Sequence, residues 1–119
     1  MQTLTLAQLF GVNAVQTADK LIIKKSDLSA FGLTPSENNR AEQLLVAVLL
    51  QALSNFQGYL VNESGNLLSD ENGNIIGYDN RKLYELLEMF RWDAYVKKRE
   101  QKVYLTETIV IHSYDETIQ

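Results

Sequence analysis

Apolar residues between positions 35 and 57 recur every three or four residues, which is the spacing of one face of an α-helix. Thr34 precedes Pro35 and stands three residues before Glu37, a combination that is typical of a capped helix start. Gly58 follows the last apolar residue and favours a stop at that point. The pattern therefore predicts a long helix over about 35–57.

The middle of this helix holds more apolar residues than one face can carry. Val46, Ala47 and Leu50 lie off the main stripe, so two turns are apolar nearly all round. A helix of this kind is usually buried on more than one side, and Val46 and Leu50 are therefore interface candidates. The uninterrupted apolar run Leu44–Leu50 is far shorter than the roughly 18 residues that a membrane span needs, so no membrane partner is expected.

The C-terminal half predicts a second helix followed by strands. A stripe at Leu83, Leu87 and Phe90 predicts a helix over about 80–91. Residues 92–98 alternate between apolar and polar, which favours a strand, but the segment KKREQK has good helix propensity and could instead prolong the helix.

The final predicted strand, 103–113, alternates throughout its length. One set of side chains is expected to face the core: Val103, Leu105, Ile109 and Ile111. The other set, which ends at His112, is expected to face solvent or a partner. Its interface candidates are Tyr104, Thr106, Thr108 and Val110.

Shorter elements fill the rest of the chain. The sequence predicts a capped turn within 1–11, a hairpin over 12–25 and a turn that ends at Gly32. The repeat of Glu63–Leu68 at positions 71–76 predicts short strands near 59–62, 66–69 and 74–78. Because helices and strands come in runs rather than in alternation, the expected fold is α+β, as one domain spanning 1–119.

Composition narrows the function. The chain of 119 residues has a net charge of −4 and no cysteine, which excludes disulfides, thiolate metal sites and a thiol nucleophile. The acidic balance makes nucleic acid an unlikely partner. We expect a soluble, cytoplasmic protein, and no motif indicates a cofactor.

The turn within 70–79 is a weak candidate for a metal site. Asp70, Asn72 and Asn74 offer oxygen ligands at alternate positions, as calcium loops do. However, Ile75 stands where a calcium loop needs glycine, and Arg81 stands where it needs a bidentate glutamate. The sequence therefore favours a structural turn, in which Asn and Gly serve the backbone.

His112 is the only histidine and would have to serve in any Ser-His-Asp triad. Ser113 and Asp115 are close in sequence, but neighbours on a strand point to opposite faces, so Ser113 is poorly placed. No catalytic residue is assigned.

A basic cluster lies beside Tyr95 and Tyr104, and its members are Lys97, Lys98, Arg99 and Lys102. Such a cluster could bind single-stranded nucleic acid, but the acidic chain favours a charged hairpin tip that discourages aggregation.

The surplus of apolar positions favours a non-catalytic protein-interaction or assembly subunit that associates with itself, most simply as a dimer. The alternative is a small-molecule- or metal-binding domain, possibly hydrolytic, that uses the 70–79 loop or His112.

Overall fold

The computed structural model describes residues 1–59 and 66–115, and its fold is α+β, as predicted. The described helices are α1 (Leu6–Phe10), a 3₁₀ helix (Lys25–Phe31) and α2 (Ala41–Leu53). The described strands are β1 (Val15–Gln16), β2 (Leu21–Ile22), β3 (Gln57–Tyr59), β4 (Gly77–Asp79), β5 (Leu87–Arg91), β6 (Tyr95–Arg99), β7 (Lys102–Thr106) and β8 (Ile109–Ser113).

All four strand pairs are antiparallel: β1 with β2, β3 with β4, β5 with β8 and β6 with β7. The last two pairs form one ribbon, because Trp92 N donates to Thr108 O at 3.0 Å between them. Arg91 pairs with Ile109 and Tyr95 with Thr106, so three residues on one strand oppose two on the other. This extra residue is a β-bulge, which bends a ribbon and re-aims its side chains.

The early elements follow the sequence closely. Thr5 and Gln8 form the predicted capping box at the start of α1. The hairpin predicted over 12–25 is present as β1 and β2 but is shorter. The 3₁₀ helix ends at Gly32, whose φ of 89° is left-handed. The strands predicted near 66–69 and 74–78 are reduced to a bridge between Ser69 and Ile75 and to β4, while 60–62 lies outside the described residues.

The prediction for the start of the long helix was wrong. Helix α2 begins at Ala41, six residues later than expected. The side chain of Asn39 donates to Thr34 O at 2.8 Å and accepts from Ser36 N at 2.9 Å, and Lys25 Nζ donates to Ser36 O at 2.8 Å. These bonds satisfy backbone groups that a first helical turn would use, so a local loop replaces that turn.

The role predicted for Gly58 was also wrong. Helix α2 ends at Leu53, and Gly58 lies in β3, where it pairs with Tyr78. A Cβ atom at Gly58 would lie 2.6 Å from Tyr78 Cζ. The tyrosine hydroxyl donates to Ser54 O at 2.6 Å. Glycine is therefore needed so that Tyr78 can cross β3 and tie it to the end of α2.

We expect Gly58→Ala to lower the free energy of unfolding by about 1–3 kcal/mol, because the new methyl group overpacks the contact with Tyr78. Urea unfolding monitored by circular dichroism measures this. The matched control is the same change in a Tyr78→Ala background. If the loss there is as large as in the parent protein, the ring contact is not its cause.

The predicted second helix over 80–91 is absent, which corrects the sequence interpretation. Residues 81–83 form a turn in which Arg81 N donates to Asp79 Oδ1 at 3.0 Å, and Leu87–Arg91 is strand β5. Met89 is buried in the core, whereas Leu83 and Leu86 are exposed, so the apolar residues of 83–90 do not form one buried helical stripe. Pairing with β8 overrides the local helix propensity. The strand favoured for 92–98 is confirmed as β6.

Two apolar clusters flank α2. The Phe56 cluster joins the end of α2 to β5, and Phe56 meets Tyr84 edge-to-face with ring centroids 5.1 Å apart. Its buried members are Ala52, Leu53, Phe56, Tyr84 and Met89. The Leu28 cluster joins α2 to the 3₁₀ helix through Leu28, Leu33 and Ala47. The clusters place the core around α2, with β5 and β8 at one side.

The single strand predicted over 103–113 is divided into β7 and β8, and three of the four residues on its expected core face are exposed. Ile109 packs against the Phe56 cluster, as expected. Val103 and Leu105 were expected in the core, but both are exposed, as is Ile111. The alternation is present, but the ribbon extends beyond the core, so only its inner half is covered.

Candidate functional site

The β6–β7 hairpin is the most exposed element that combines apolar and charged side chains. Each of its strand residues is exposed except Thr106, which is half-buried. Residues directly opposite each other share a face, so Val96 and Lys98 lie with Leu105 and Val103. Val96 is 67% exposed, and Val103 and Leu105 are each 69% exposed. We call Val96, Val103 and Leu105 the apolar hairpin face.

The opposite side of the hairpin carries cations and tyrosines. Register places Lys97 opposite Tyr104, Arg99 opposite Lys102 and Tyr95 opposite Thr106. The connecting residues Glu100 and Gln101 both have positive φ, as a tight two-residue hairpin turn requires. The basic cluster therefore lies at a hairpin tip, as the sequence predicts.

The interface candidates from the sequence lie in two places. On α2, Val46 is exposed, whereas Leu50 is half-buried against the Phe56 cluster. On the ribbon, Tyr104 is exposed on the basic side of the hairpin. Thr106, Thr108 and Val110 are half-buried. The fold leaves Val46 and Tyr104 with the most surface for a partner.

A shallow groove accompanies Val46. Its volume is about 230 Å³, and its lining is mostly apolar, with Glu42 as the one carboxylate. The lining residues are Phe31, Gly32, Leu33, Glu42, Gln43, Val46 and Ala47. Leu45, the neighbour of Val46, is also exposed. We call this groove together with Leu45 the α2 groove.

The turn at 70–74 uses its candidate metal ligand for its own backbone. Asp70 Oδ1 accepts from the backbone N–H groups of Asn72 and Asn74, both at 2.9 Å, and Oδ2 accepts from Asn74 Nδ2 at 3.2 Å. Gly73 has a φ of 82° and so occupies the left-handed position of the turn. The hydrogen bond from the Asn74 backbone is the main cause that lowers the pKa of Asp70 below its ordinary value of 3.8. These bonds and the left-handed backbone provide a structural reason for Asp70, Gly73 and Asn74.

We expect Asp70 to titrate below its ordinary pKa and calcium to leave its resonance unchanged below millimolar concentrations. Its lowered pKa means that the ionised group stabilises the folded turn above the unfolded-state pKa. That contribution is lost as pH falls through the folded-state pKa. Carboxyl carbon NMR during acid and calcium titrations tests both statements. Micromolar calcium binding that Asp70→Ala abolishes would show that the turn is a metal site.

His112 lies beside Glu88, an acidic residue within the segment 80–91 that the sequence predicts as a helix. Strand pairing sets His112 opposite Glu88, with Nδ1 3.8 Å from Glu88 Oε1. Tyr114 Oη donates to Glu88 Oε2 at 2.7 Å, and this bond is the main cause that raises the pKa of Tyr114. The His112 ring also meets Phe90 edge-to-face at 5.5 Å. The sequence predicted a helix at 87–91, where the structure has strand β5. This error concealed the cluster, because Glu88 meets His112 only through the pairing of β5 with β8.

The geometry gives this cluster a simple structural role. Glu88 accepts a hydrogen bond from Tyr114 and lies 3.8 Å from His112 Nδ1, so it joins the two side chains across β5 and β8. Ser113 follows His112 on the same strand and pairs with Leu87, so it lies on the opposite face. The arrangement links side chains of two paired strands, and it does not place the adjacent serine for attack.

We expect His112→Ala to change the free energy of unfolding by no more than about 0.5 kcal/mol, because its side chain is half exposed. Thermal unfolding followed by circular dichroism measures the effect. Tyr114→Phe serves as a matched control that removes the hydrogen bond to Glu88 but retains the ring. A loss above 2 kcal/mol for His112→Ala would contradict a surface role.

The comparisons leave the function to be argued from this geometry. No family model, curated protein or solved structure matches the chain. Across residues 1–59 and 66–115, no helix combines the length and the apolar character of a membrane span. Among the same residues, no group of three or more His, Asp or Glu side chains is arranged to hold a metal ion.

Proposed function

We propose that the protein is a non-catalytic assembly subunit that associates with further copies of itself through the β6–β7 hairpin. The apolar hairpin face is the observation that carries this proposal. A two-stranded hairpin alone is marginally stable in water and gains stability when one face is covered. Within the described residues, Val96, Val103 and Leu105 each remain at least 67% exposed, whereas the core-facing side of β5 and β8 packs against the Phe56 cluster.

The size of the exposed surface supports the same proposal. The accessible surface is 9489 Å², whereas a compact monomer of 13.5 kDa exposes about 6,500 Å². The radius of gyration is 16.8 Å, compared with about 13.5 Å for a compact chain of this length. A standard stable interface buries about 1,600 Å² in total, so the excess surface is sufficient to form one.

Light scattering across a concentration series tests self-association. We expect the average mass to rise from that of one chain, 13.5 kDa, to that of two or more. A mass of one chain at the highest attainable concentration would refute the proposal.

A further inference from the structure

We propose that the apolar hairpin face of one copy docks in the α2 groove of a neighbouring copy, rather than against that copy's hairpin. This inference rests on the proposed self-association and specifies its contact. It depends on the distribution of charge along the chain and on the two apolar surfaces described above.

Charge separates the hairpin from the rest of the molecule. Residues 95–106 contain Lys97, Lys98, Arg99 and Lys102 against the single carboxylate of Glu100, which gives a net charge of +3. The whole chain carries −4, so the remainder carries −7. Two hairpins that meet through their apolar faces would bring the two Lys98 side chains together, because Lys98 shares that face with Val103. Like charges in contact oppose association. A hairpin that meets the acidic remainder of another copy brings opposite charges together.

The α2 groove fits the apolar hairpin face in shape and chemistry. Val and Leu side chains gain binding free energy when their apolar surface is removed from water. The groove of about 230 Å³ between α2 and the 3₁₀ helix provides a mostly apolar site for them, and exposed Leu45 and Val46 border it. Glu42 lines the same groove with a largely exposed side chain that pairs with Arg40 at 3.0 Å. In the proposed contact Lys98, on the apolar side of the hairpin, approaches this carboxylate as a second cation.

Such a contact joins two different surfaces. Each copy then offers one hairpin and one groove, so a pair can exchange hairpins about a two-fold axis or a chain of copies can extend or close into a ring. A hairpin-to-hairpin contact uses one surface only. The two arrangements therefore differ in whether a copy with a damaged hairpin can still bind an intact copy.

Mixing two variants tests the proposal. Val103→Glu with Leu105→Glu damages the hairpin face, and Val46→Glu damages the groove; all three side chains are exposed, so the fold should be kept, and circular dichroism checks it. Ala41→Glu adds the same charge to α2 at an exposed position outside the groove lining and is the control.

We expect each damaged variant alone to have the mass of one chain, and an equimolar mixture to form a 1:1 complex, because one intact hairpin then meets one intact groove. Ala41→Glu should associate like the parent chain. If Val46→Glu associates as well as Ala41→Glu, or if the mixture stays monomeric, the docking proposal is wrong while self-association stands. A parent chain that is monomeric at all concentrations removes the proposed function as well.

Discussion

Phe56→Ala should lower the free energy of unfolding by about 3–5 kcal/mol, the typical loss when a buried aromatic side chain is removed. Phe56 has no accessible surface and joins the end of α2 to Tyr84 and Met89. Its removal leaves a cavity between the helix and β5 and also ends the edge-to-face contact with Tyr84. Because domains are stable by only about 5–15 kcal/mol, this change should leave little net stability.

Urea unfolding of parent and variant measures this loss as a lower midpoint with an unchanged slope. Leu45→Ala is the control, because Leu45 is a large apolar residue of α2 that lies on the surface. We expect that variant to stay within about 0.5 kcal/mol of the parent. Equal losses for the two variants would contradict the placement of the core between α2 and β5.

The second large effect is expected on assembly rather than on stability. Val103→Glu with Leu105→Glu should convert the associated protein to single chains, because the change places two carboxylates on the apolar hairpin face. Burial of an unpaired carboxylate in an interface is costly, so association should weaken by at least tenfold. Sedimentation equilibrium of parent and variant at the same concentrations measures the change.

Tyr104→Glu is the matched control for the double variant. Tyr104 lies on the same strand and is exposed, but it faces the basic side of the hairpin. We expect this control to retain association. If Tyr104→Glu dissociates the protein and the double variant does not, the contact uses the basic side, where the sequence placed the interface candidate Tyr104.

Local sequence signals predicted the short elements well. The capping box of Thr5 and Gln8 and the left-handed Gly32 involve partners only a few residues away, so their chemistry is visible in the sequence. The α+β class also followed from the patterns. The start of α2 was not predicted correctly. The helix cap expected at Thr34 competes with hydrogen bonds that Asn39 and the more distant Lys25 donate to backbone carbonyls of 34–36.

Long-range pairing accounts for the largest error. A stripe at Leu83, Leu87 and Phe90 fits a helix, but Leu87 and Phe90 pair with residues of β8 that lie 26 and 20 positions away. Alternation along β7 correctly predicted that Val103 and Leu105 share a face, but it could not show that this face lies beyond the core, because that depends on the pairing of β7 with β6. The candidate interface on the hairpin follows from this register.

Hydrogen exchange at two protein concentrations tests the central claim most directly, because it reports on the hairpin itself. If a second copy covers the apolar hairpin face, the backbone amides of 95–106 should exchange more slowly in concentrated than in dilute protein. The exposed turn at 70–74 should exchange at the same rate in both. A mass that rises with concentration while the hairpin exchange rates stay constant would contradict the account.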